Sequence, residues 1–298
     1  MPRSASKPLP TPYQWKFSTV NDPNSTNFTR VMGVDDRNQI DGYYGSGASS
    51  DPAHAFTALP PYTQFHSLDY PGAVDSYATS MSANRIYAGY FVDSSDGQHT
   101  WGWTRNRGVR NQYRDYQEPK GAGSVTELLG INRNAIGVGF YVNAHGKDEP
   151  FELAENKYQP LNPPGFITAT ANGINMRGII VGTETLSSGT TQGWLLSSQT
   201  YYEFSYPNSN DTQVYGVNFQ QQVVGSYVDG SGVTHGFILT SPTSTSGKYW
   251  QSVDEPKAAG TTVITSMTDH HTICGWYVDS SGNTNGFVGI LSKTTKRS

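Results

Sequence analysis

Residues 225–237 have the sequence GSYVDGSGVTHGF, and residues 275–287 have the sequence GWYVDSSGNTNGF. Two such similar stretches indicate either a functional loop or one unit of a repeating architecture. The Asp and Gly residues that both copies share are typical of a tight turn, and the residues on either side are typical of strands. The phrase therefore predicts a strand, a turn and a second strand.

Four further copies of this phrase lie along the chain. The Gly that opens it stands at positions 42, 89, 139, 182, 225 and 275, so the period is 43 to 50 residues. A small residue and an aromatic one follow each Gly at a similar distance: Ala55-Phe56, Gly102-Trp103, Pro150-Phe151, Gly193-Trp194, Gly236-Phe237 and Gly286-Phe287. Six copies at this period predict a repeat protein rather than a single functional loop.

A short aromatic segment that runs into Pro also repeats. Five copies follow their own repeats: FHSLDYP (65–71), YRDYQEP (113–119), YQPLNPP (158–164), YYEFSYP (201–207) and YWQSVDEP (249–256). A sixth, WKFSTVNDP (15–23), precedes the first full repeat, whereas the last repeat stops at GFVGILSK (286–293). We therefore expect residues 15–21 to pair with residues 285–292 and to supply the strand that the last repeat lacks.

Each repeat contains four short candidate strands, which in the fifth repeat are DTQVYGV, QVVGSYV, HGFILT and KYWQSVD. No long segment has apolar residues at helical spacing. The pattern predicts one all-β domain over residues 1–298, a six-bladed β-propeller of four-stranded antiparallel blades whose ring the N-terminal strand closes. The expected blades are 25–72, 73–120, 121–164, 165–207, 208–256, and 257–298 with 11–23. A two-sheet sandwich of tandem hairpins is the alternative.

The repeat pattern G-I-N-x-x-x-x-x-V-G-x-Y … D-x-x-G-x-x-H-G-F, with a D-x-P-G-A end at residues 69–73, resembles the HAF-type repeat of extracellular bacterial and fungal proteins. This resemblance covers nearly the whole chain and implies an architecture rather than an activity. At the level of repeat architecture the chain also resembles fungal hetero-Diels–Alderases of tropolone–sesquiterpene pathways. No motif of those enzymes matches residue by residue, so the resemblance assigns no catalytic residue.

Composition excludes several classes of protein. A net charge of −4 argues against a nucleic-acid-binding surface. No run approaches the 18 apolar residues of a membrane span, and the polar start MPRSASKPLPTP lacks the apolar core of a signal peptide. We expect either a cytoplasmic protein or a secreted one whose signal has been removed. The single Cys274 excludes an intrachain disulfide and is expected to be a buried structural residue.

No standard catalytic or metal-binding motif is present. The adjacent His270 and His271 fall in a turn, where solvated side chains are commoner than metal ligands. The D-x-x-G turns offer one carboxylate each, at Asp93, Asp229 and Asp279, whereas calcium needs six or more oxygens. We therefore expect neither a metal nor a cofactor.

Differences between the repeats point to candidate site residues, because positions at which six copies agree are expected to be structural. One position has Tyr44, Phe91, Tyr141, Tyr227 and Tyr277 in five repeats but Glu184 in the fourth; an exposed strand end is the simpler explanation. A first-strand position varies most, with Arg30, Tyr77, Glu127, Thr170, Gln213 and Val263, and is expected to line the channel near one mouth. We select Glu184, Glu127 and Arg30 as candidate catalytic residues, with Phe28, Asp75, Tyr77, Asn172, Asp211, Gln213 and Tyr215 as candidate substrate-binding residues.

Three functions fit these observations. The first is a cofactor-independent cyclase that folds a small hydrophobic polyketide or terpenoid for a pericyclic reaction of the hetero-Diels–Alder type. The second is a lectin-like propeller with sugar sites between blades, and the third is a non-catalytic exported repeat or interaction module. One unequal pocket favours the enzyme, several equivalent pockets between blades favour the lectin, and a plugged channel favours the module.

Overall fold

The computed structural model describes residues 13–48, 51–93, 95, 99–106, 112–118, 125–245 and 247–293. Within these residues the chain forms 24 strands and no helix. No helix there is long and apolar enough to cross a membrane. The strands are β1 (Tyr13–Val20), β2 (Phe28–Val34), β3 (Ile40–Gly45), β4 (His54–Ala58), β5 (Phe65–Ser67), β6 (Asp75–Met81), β7 (Ile86–Asp93), β8 (His99–Asn106), β9 (Gln112–Tyr116), β10 (Thr126–Ile131), β11 (Gly137–Val142), β12 (Asp148–Ala154), β13 (Lys157–Pro160), β14 (Phe166–Ile174), β15 (Ile180–Leu186), β16 (Thr191–Ser197), β17 (Thr200–Phe204), β18 (Thr212–Val217), β19 (Val223–Val228), β20 (Thr234–Thr240), β21 (Tyr249–Val253), β22 (Thr261–Met267), β23 (Thr272–Val278) and β24 (Thr284–Lys293).

Strand pairing divides these strands into antiparallel groups of four. Three groups are separate sheets: β6 to β9, β10 to β13, and β14 to β17. The other twelve strands form one sheet, in which single parallel pairs, Phe28 with Thr284 and Thr234 with Thr261, join three antiparallel runs. These runs are β2 to β5, β18 to β21, and β22 to β24 with β1. We number the units one to six by their first strands, β2, β6, β10, β14, β18 and β22.

The N-terminal strand belongs to the sixth unit. β1 pairs antiparallel with β24, from Tyr13 opposite Lys293 to Val20 opposite Gly286. Its Trp15 and Phe17 pack against the apolar cluster of that unit. This is the pairing expected for the displaced aromatic segment, which restores a fourth strand where the last repeat has only three.

Residues 225–237 form the hairpin of β19 and β20 in the fifth unit, and residues 275–287 form the equivalent hairpin of β23 and β24 in the sixth. Asp229 Oδ1 accepts the backbone N–H groups of Ser231 and Val233, at 2.8 and 2.9 Å, and Asp279 does the same in the copy. Gly232 has a φ of 83°, a left-handed conformation that favours glycine. The repeated Asp and Gly therefore build the turn.

The Gly that opens the phrase is fixed by a close backbone approach. A Cβ added to Gly225 would lie 1.9 Å from the carbonyl oxygen of Gln213 on the neighbouring strand. The equivalent Gly residues of the other five units show the same contact, at 1.8 to 2.0 Å. Opposite each of them the first strand shifts register by one residue, which is a β-bulge.

The apolar core lies between neighbouring units. One cluster joins Val181 and Leu195 of the fourth unit to Val223 and Phe237 of the fifth, and equivalent clusters join the other neighbours. Each unit's first strand contacts the first strand of the next unit, and β22 of the sixth contacts β2 of the first. Both faces of a sheet are thus buried by neighbours, which explains the almost continuous burial of the second strands.

Candidate functional site

The variable first-strand position has a partner directly across the sheet in every unit. The six pairs are Arg30 with Tyr43, Tyr77 with Tyr90, Glu127 with Phe140, Thr170 with Thr183, Gln213 with Ser226, and Val263 with Trp276. Directly opposed residues of an antiparallel pair lie on the same face of the sheet. Each pair stands next to the bulge, on the face that meets the following unit.

Arg30 is held between aromatic rings. Its guanidinium carbon lies 4.0 Å from the ring centre of Trp276 in the sixth unit and 4.9 Å from that of Phe28. Arg30 Nη1 donates to the hydroxyl of Tyr43 at 3.2 Å, whereas its buried Nε has no partner among the described residues. Because aromatic rings cover the faces of the guanidinium, its N–H groups along the edge are the part that can donate to an oxygen of a ligand.

Aromatic side chains continue from Arg30 into the second unit. The ring centres of Tyr43 and Tyr77 lie 4.9 Å apart edge to face, and Tyr77 stacks on Tyr90 at 4.4 Å. Burial raises the pKa of Tyr77 to about 12, so its hydroxyl stays protonated at neutral pH. We call Trp276, Phe28, Tyr43, Tyr77 and Tyr90 the aromatic arc.

Glu127 of the third unit stands at the far end of the aromatic arc. Its charge acts on both Tyr77 and Tyr90, and it raises the pKa of each phenol. Burial raises the pKa of Glu127 itself to about 8, and the nearby Asp148 adds to this rise. Glu127 is half-buried, as expected for a group lining a narrow opening. Glu127 therefore holds a proton at neutral pH.

Residues of the fifth unit approach the same place from the opposite side. Burial raises the pKa of Tyr215, and the positive charge of Arg30 lowers it in part, which places Tyr215 near the first unit. Asp211 also acts on Tyr215, and Gln213 Nε2 donates to Asp211 Oδ1 at 2.9 Å. Thus Tyr215, from the fifth unit, lies within the electrostatic range of Arg30 of the first.

Asp75 and Asn172 have structural contacts of their own. Asp75 Oδ1 accepts the backbone N–H of Ala53 in the first unit at 2.8 Å, and its charge raises the pKa of Tyr77. Asn172 is the extra residue of its bulge, and its amide donates to Thr183 Oγ1 at 3.2 Å and to the carbonyl of Val214. Asn172 thus links the fourth unit to the fifth.

Glu184 lies apart from the other candidates. It adjoins Thr183 in β15 and therefore points to the opposite face of the sheet. Thr183 contacts Val214 of the fifth unit, whereas Glu184 shares its face with Trp194, which packs on the third unit. Glu184 is only 1% exposed, so it is not an exposed strand end.

The sequence comparison missed three residues of the aromatic arc. Tyr43, Tyr90 and Trp276 follow the repeated Gly by one position, where the other units have Phe140, Thr183 and Ser226. That position has an aromatic residue in four units and a Ser or Thr in two, so it also differs between units, although less than the first-strand position selected from the sequence. Comparing it across the six copies would have identified all three residues.

A cavity of about 160 Å³ lies at the other ends of the first strands. The turns that follow all six first strands line it, together with Asn172 and Tyr215. On one side, amides link successive units: Asn132 donates to the carbonyl of Asn175 at 3.2 Å, Asn175 to that of Asn218 at 2.9 Å, and Asn218 to that of Thr268 at 3.4 Å. We call Asn132, Asn175 and Asn218 the Asn ladder.

Crevices between units form a second type of candidate site. Two adjoining cavities of about 520 and 340 Å³ lie between the second and third units and share Arg114, Tyr116 and Asn156. A cavity of about 250 Å³ between the first and second units is lined by His66 and Arg105 among others. These crevices occupy similar places, but their lining residues differ.

The described residues contain no group of three or more His, Cys, Asp or Glu side chains that could hold a metal ion. Cys274 is fully buried, and burial raises the pKa of its thiol, so it is not a reactive thiolate.

Comparison with known proteins identifies the fold. No family model and no curated protein sequence matches the chain. Similar solved structures include AofleA from Arthrobotrys oligospora (9% identity, 95% of this chain and 88% of that chain, TM-score 0.57). They also include TolB from Acinetobacter baumannii (7%, 86% and 66%, 0.56) and a fucose-specific lectin from Aleuria aurantia (10%, 93% and 98%, 0.54). All three are β-propellers, and at such low identity the likeness concerns the fold alone: this chain has the all-β propeller fold.

Proposed function

We propose that the six units are the six blades of one closed ring whose sequence repeat is of the HAF type. The cyclic contacts between first strands support this, because β22 meets β2 as each other first strand meets its successor. The pairing of β1 with β24 supports it as well, since it gives the sixth unit four strands. The aromatic arc then lies at one mouth of the central channel, and the cavity at the other mouth.

We propose that the mouth at the aromatic arc binds a small hydrophobic molecule and catalyses its pericyclic cyclisation, a hetero-Diels–Alder reaction of a polyketide and terpenoid substrate. The observation that carries this proposal is the unrepeated series of contacts from Arg30 through the aromatic arc, at whose far end the charge of Glu127 acts on Tyr77 and Tyr90. Aromatic walls with a few polar groups are typical of small-molecule sites. The repeat-level resemblance to fungal hetero-Diels–Alderases agrees with it.

Each group in this mouth has a role in that chemistry. Glu127, protonated at neutral pH, gives its proton to a hydroxyl of the substrate, and the C–O bond breaks to release water. A second substrate hydroxyl returns a proton to Glu127, which leaves a reactive, electron-poor diene. Arg30 holds the oxygen on which negative charge gathers, and the rings press an alkene against the diene until two bonds form. No electrons are gained or lost.

The test uses a polyketide with a hydroxyl that can leave, together with an apolar terpene alkene, and compares the product with that of the uncatalysed reaction. Glu127→Gln should keep the fold and lower turnover about 10²–10⁴-fold, because one acid–base group is lost. Arg30→Met should weaken substrate binding and slow turnover, and Tyr77→Phe and Tyr215→Phe should change the product's stereochemistry.

Thr170→Val is the matched control, because Thr170 occupies the position of Arg30 and Glu127 in a unit without the aromatic arc. It should leave turnover unchanged. The cyclase proposal fails if the wild-type protein yields no more product than buffer does, or if Glu127→Gln and Arg30→Met both match it.

Carbohydrate binding in the crevices is the second candidate function. The crevice at Arg114 favours it, because aromatic, guanidinium and amide groups surround an open volume. One similar structure is described as a fucose-specific lectin, and another as a lectin in complex with alpha methyl fucoside.

Calorimetry with alpha methyl fucoside on the wild-type protein and on Arg114→Ala tests carbohydrate binding. Binding that Arg114→Ala abolishes, without cyclase activity, would replace the first candidate. If neither assay responds, the non-catalytic module is left.

A further inference from the structure

The linkers between units share a hydrogen bond that fastens each unit to the next. In five linkers the residue before the proline donates its backbone N–H to a buried Ser or Thr hydroxyl on the next first strand. The bonds run from Asp22 to Thr29 (3.3 Å), Tyr70 to Ser76 (2.9 Å), Glu118 to Thr126 (3.1 Å), Tyr206 to Thr212 (3.0 Å) and Glu255 to Thr262 (3.2 Å). We call this bond the linker clip.

An aromatic residue accompanies the clip in all five cases. The residue directly across the sheet from the Ser or Thr is Tyr44, Phe91, Tyr141, Tyr227 or Tyr277. In two seams this ring stacks on the residue that donates the clip, at 3.8 Å for Tyr70 with Phe91 and 3.4 Å for Tyr206 with Tyr227. Clip and ring together close the seam between two units.

The seam between the third and fourth units departs at all three positions. Pro163 stands where the clip's donor should be and has no N–H. Ala169 stands where the hydroxyl should be, and Glu184, directly across from Ala169, replaces the aromatic ring. All three positions change together at this one seam. Such a joint change indicates a local requirement rather than three unrelated substitutions. This seam lacks the clip and the ring that close the other five.

The replacement leaves a buried carboxyl group incompletely bonded. Glu184 Oε1 accepts from Gln192 Nε2 at 2.9 Å, whereas Oε2 has no hydrogen-bond partner among the described residues. On the same face, the buried Nε1 of Trp194 also has none, although the equivalent Trp103 donates to the carbonyl of Tyr90 at 3.1 Å. A buried carboxylate oxygen without a donor is costly when charged and tolerable when protonated.

The neighbours of Glu184 act against its charge. Glu203 and Tyr201, both on β17, are the described titratable groups whose electrostatics couple to it. The third unit contributes the apolar Val138 and Leu161 to this face, and β14 contributes Ala169. Burial raises the pKa of Glu184 to about 7, the Gln192 bond lowers it in part, and Glu203 raises it further. Charging therefore occurs near neutral pH.

We propose that the seam between the third and fourth units is a proton-operated joint, closed while Glu184 is neutral and loosened when Glu184 is charged. A charged Glu184 is more stable when it is hydrated, and this seam has no linker clip. The bonds that do cross it, from Asn132 to the carbonyl of Asn175 and from the backbone N–H of Asp148 to Thr168 Oγ1, do not involve Glu184. The folded pKa is raised above the unfolded value. Stability from this group is therefore complete below pH 4.5 and is lost as pH rises through about 7. The clips of the other five seams join a backbone N–H to a Ser or Thr hydroxyl, and neither group titrates near neutral pH.

Native-state amide hydrogen exchange tests the joint, after correction for the intrinsic pH dependence of exchange. In the wild-type protein, residues 165–171 and 180–186 should lose about tenfold of their protection between pH 6 and pH 8.5. Residues 212–217 and 223–228, at the seam between the fourth and fifth units, serve as the internal control. They are measured in a His235→Gln background, because His235 stacks on Tyr227 and has a raised pKa, and there they should keep their protection. Glu184→Gln should remove the difference between the two pH values.

A second variant tests the seam without relying on a single substitution. The triple variant Pro163→Ser, Ala169→Thr, Glu184→Tyr restores the pattern of the other five seams and should be fully protected at both pH values. Equal wild-type protection at pH 6 and pH 8.5 would overturn the proposal. So would a Glu184→Gln protein whose exchange depends on pH as the wild type does.

Discussion

The sixth, first and second units differ from the third, fourth and fifth in how neighbouring units are held together near their first strands. In the former, contacts between Trp276, Arg30, Tyr43, Tyr77 and Tyr90 cross from unit to unit. In the latter, the Asn ladder crosses between units through side-chain amides and backbone carbonyls. In the sixth, first and second units, the positions equivalent to the Asn ladder, in the turn after the first strand, are occupied by Thr268, Asp35 and Ser82.

The difference teaches how one repeat supports an irregular site. Ladder amides satisfy backbone groups and can be repeated from unit to unit. Large rings and a cation can be accommodated at the arc because the bulge and the repeated Gly, present in all six units, hold the backbone. Side chains there are therefore free to differ. We expect stability to depend more on the ladder side and ligand binding more on the arc side.

Removal of residues 1–23 should have the largest effect, because it leaves β24 without its partner and exposes an unpaired edge. If the two sides belong to one ring, both should be lost together. We expect an aggregating protein without a cooperative melting transition, as measured by scanning calorimetry and size-exclusion chromatography. An unchanged melting temperature would show that neither the ladder side nor the arc side depends on the pairing of β1 with β24, and would contradict the proposed closed ring.

Loss of one ladder residue should have the next largest effect. Asn175 Oδ1 accepts the N–H groups of Arg177 and Ile179, and its Nδ2 donates to Asn218 in the next unit. Asn175→Ala should lower the free energy of unfolding by about 2–4 kcal/mol, because buried groups lose their partners. Urea denaturation measures this change.

Ser82→Ala is the matched variant on the arc side. Ser82 Oγ accepts the N–H of Ile86 within its own turn, at 3.0 Å, so its loss should cost about 1 kcal/mol. Asn175→Asp keeps the acceptor oxygens and removes the donor, which isolates the bond between units. Equal losses for Asn175→Ala and Ser82→Ala would remove the mechanical distinction between the two sides.

A pair of equivalent histidines should give the smallest effect. His235 lies between two carboxylates, with Nδ1 2.9 Å from Asp254 and Nε2 3.3 Å from Asp229, whereas His54 has Asp69 alone at 3.1 Å. Burial alone would lower the pKa of His235, but the hydrogen bonds and charges of Asp254 and Asp229 outweigh it and raise the pKa. The protonated form of His235 is therefore favoured by folding.

The sign of the pH dependence follows from the raised pKa. His235 should contribute its full stability below about pH 6.5, and this contribution should disappear as pH rises through the folded pKa. His235→Gln should thus destabilise the protein at pH 6, by about 1 kcal/mol or less, and have no such effect at pH 9. NMR titration of the histidine ring protons checks the pKa directly.

Much of the fold could be predicted from the sequence because its determinants are local and repeated. Gly225 and its five equivalents mark a backbone contact, and Asp229 with Gly232 marks a turn, so comparing copies identifies both. The partner of the N-terminal strand followed from a missing fourth strand. The bulge had no distinct sequence mark, and it decides which face Asn172 and Tyr215 occupy.

The candidate site was only partly predictable, because contacts across the sheet are not visible along one strand. Arg30, Tyr77 and Glu127 were identified by their variation, but their partners Tyr43 and Tyr90 lie on the neighbouring strand. Glu184 was identified in the same way, yet alternation places it on the opposite face from Thr183. Variation between repeats marks a local requirement without telling a ligand site from a seam.

The pairing of β1 with β24 has a consequence for the time course of synthesis. Paired residues such as Val20 and Gly286 lie about 270 positions apart along the chain. At about 5–20 residues per second, a ribosome needs on the order of tens of seconds to add the second partner after the first. Throughout that interval the apolar Trp15 and Phe17 have no permanent partner. We therefore expect a nascent chain that stalls before β24 is made to expose this apolar segment and to be prone to aggregation.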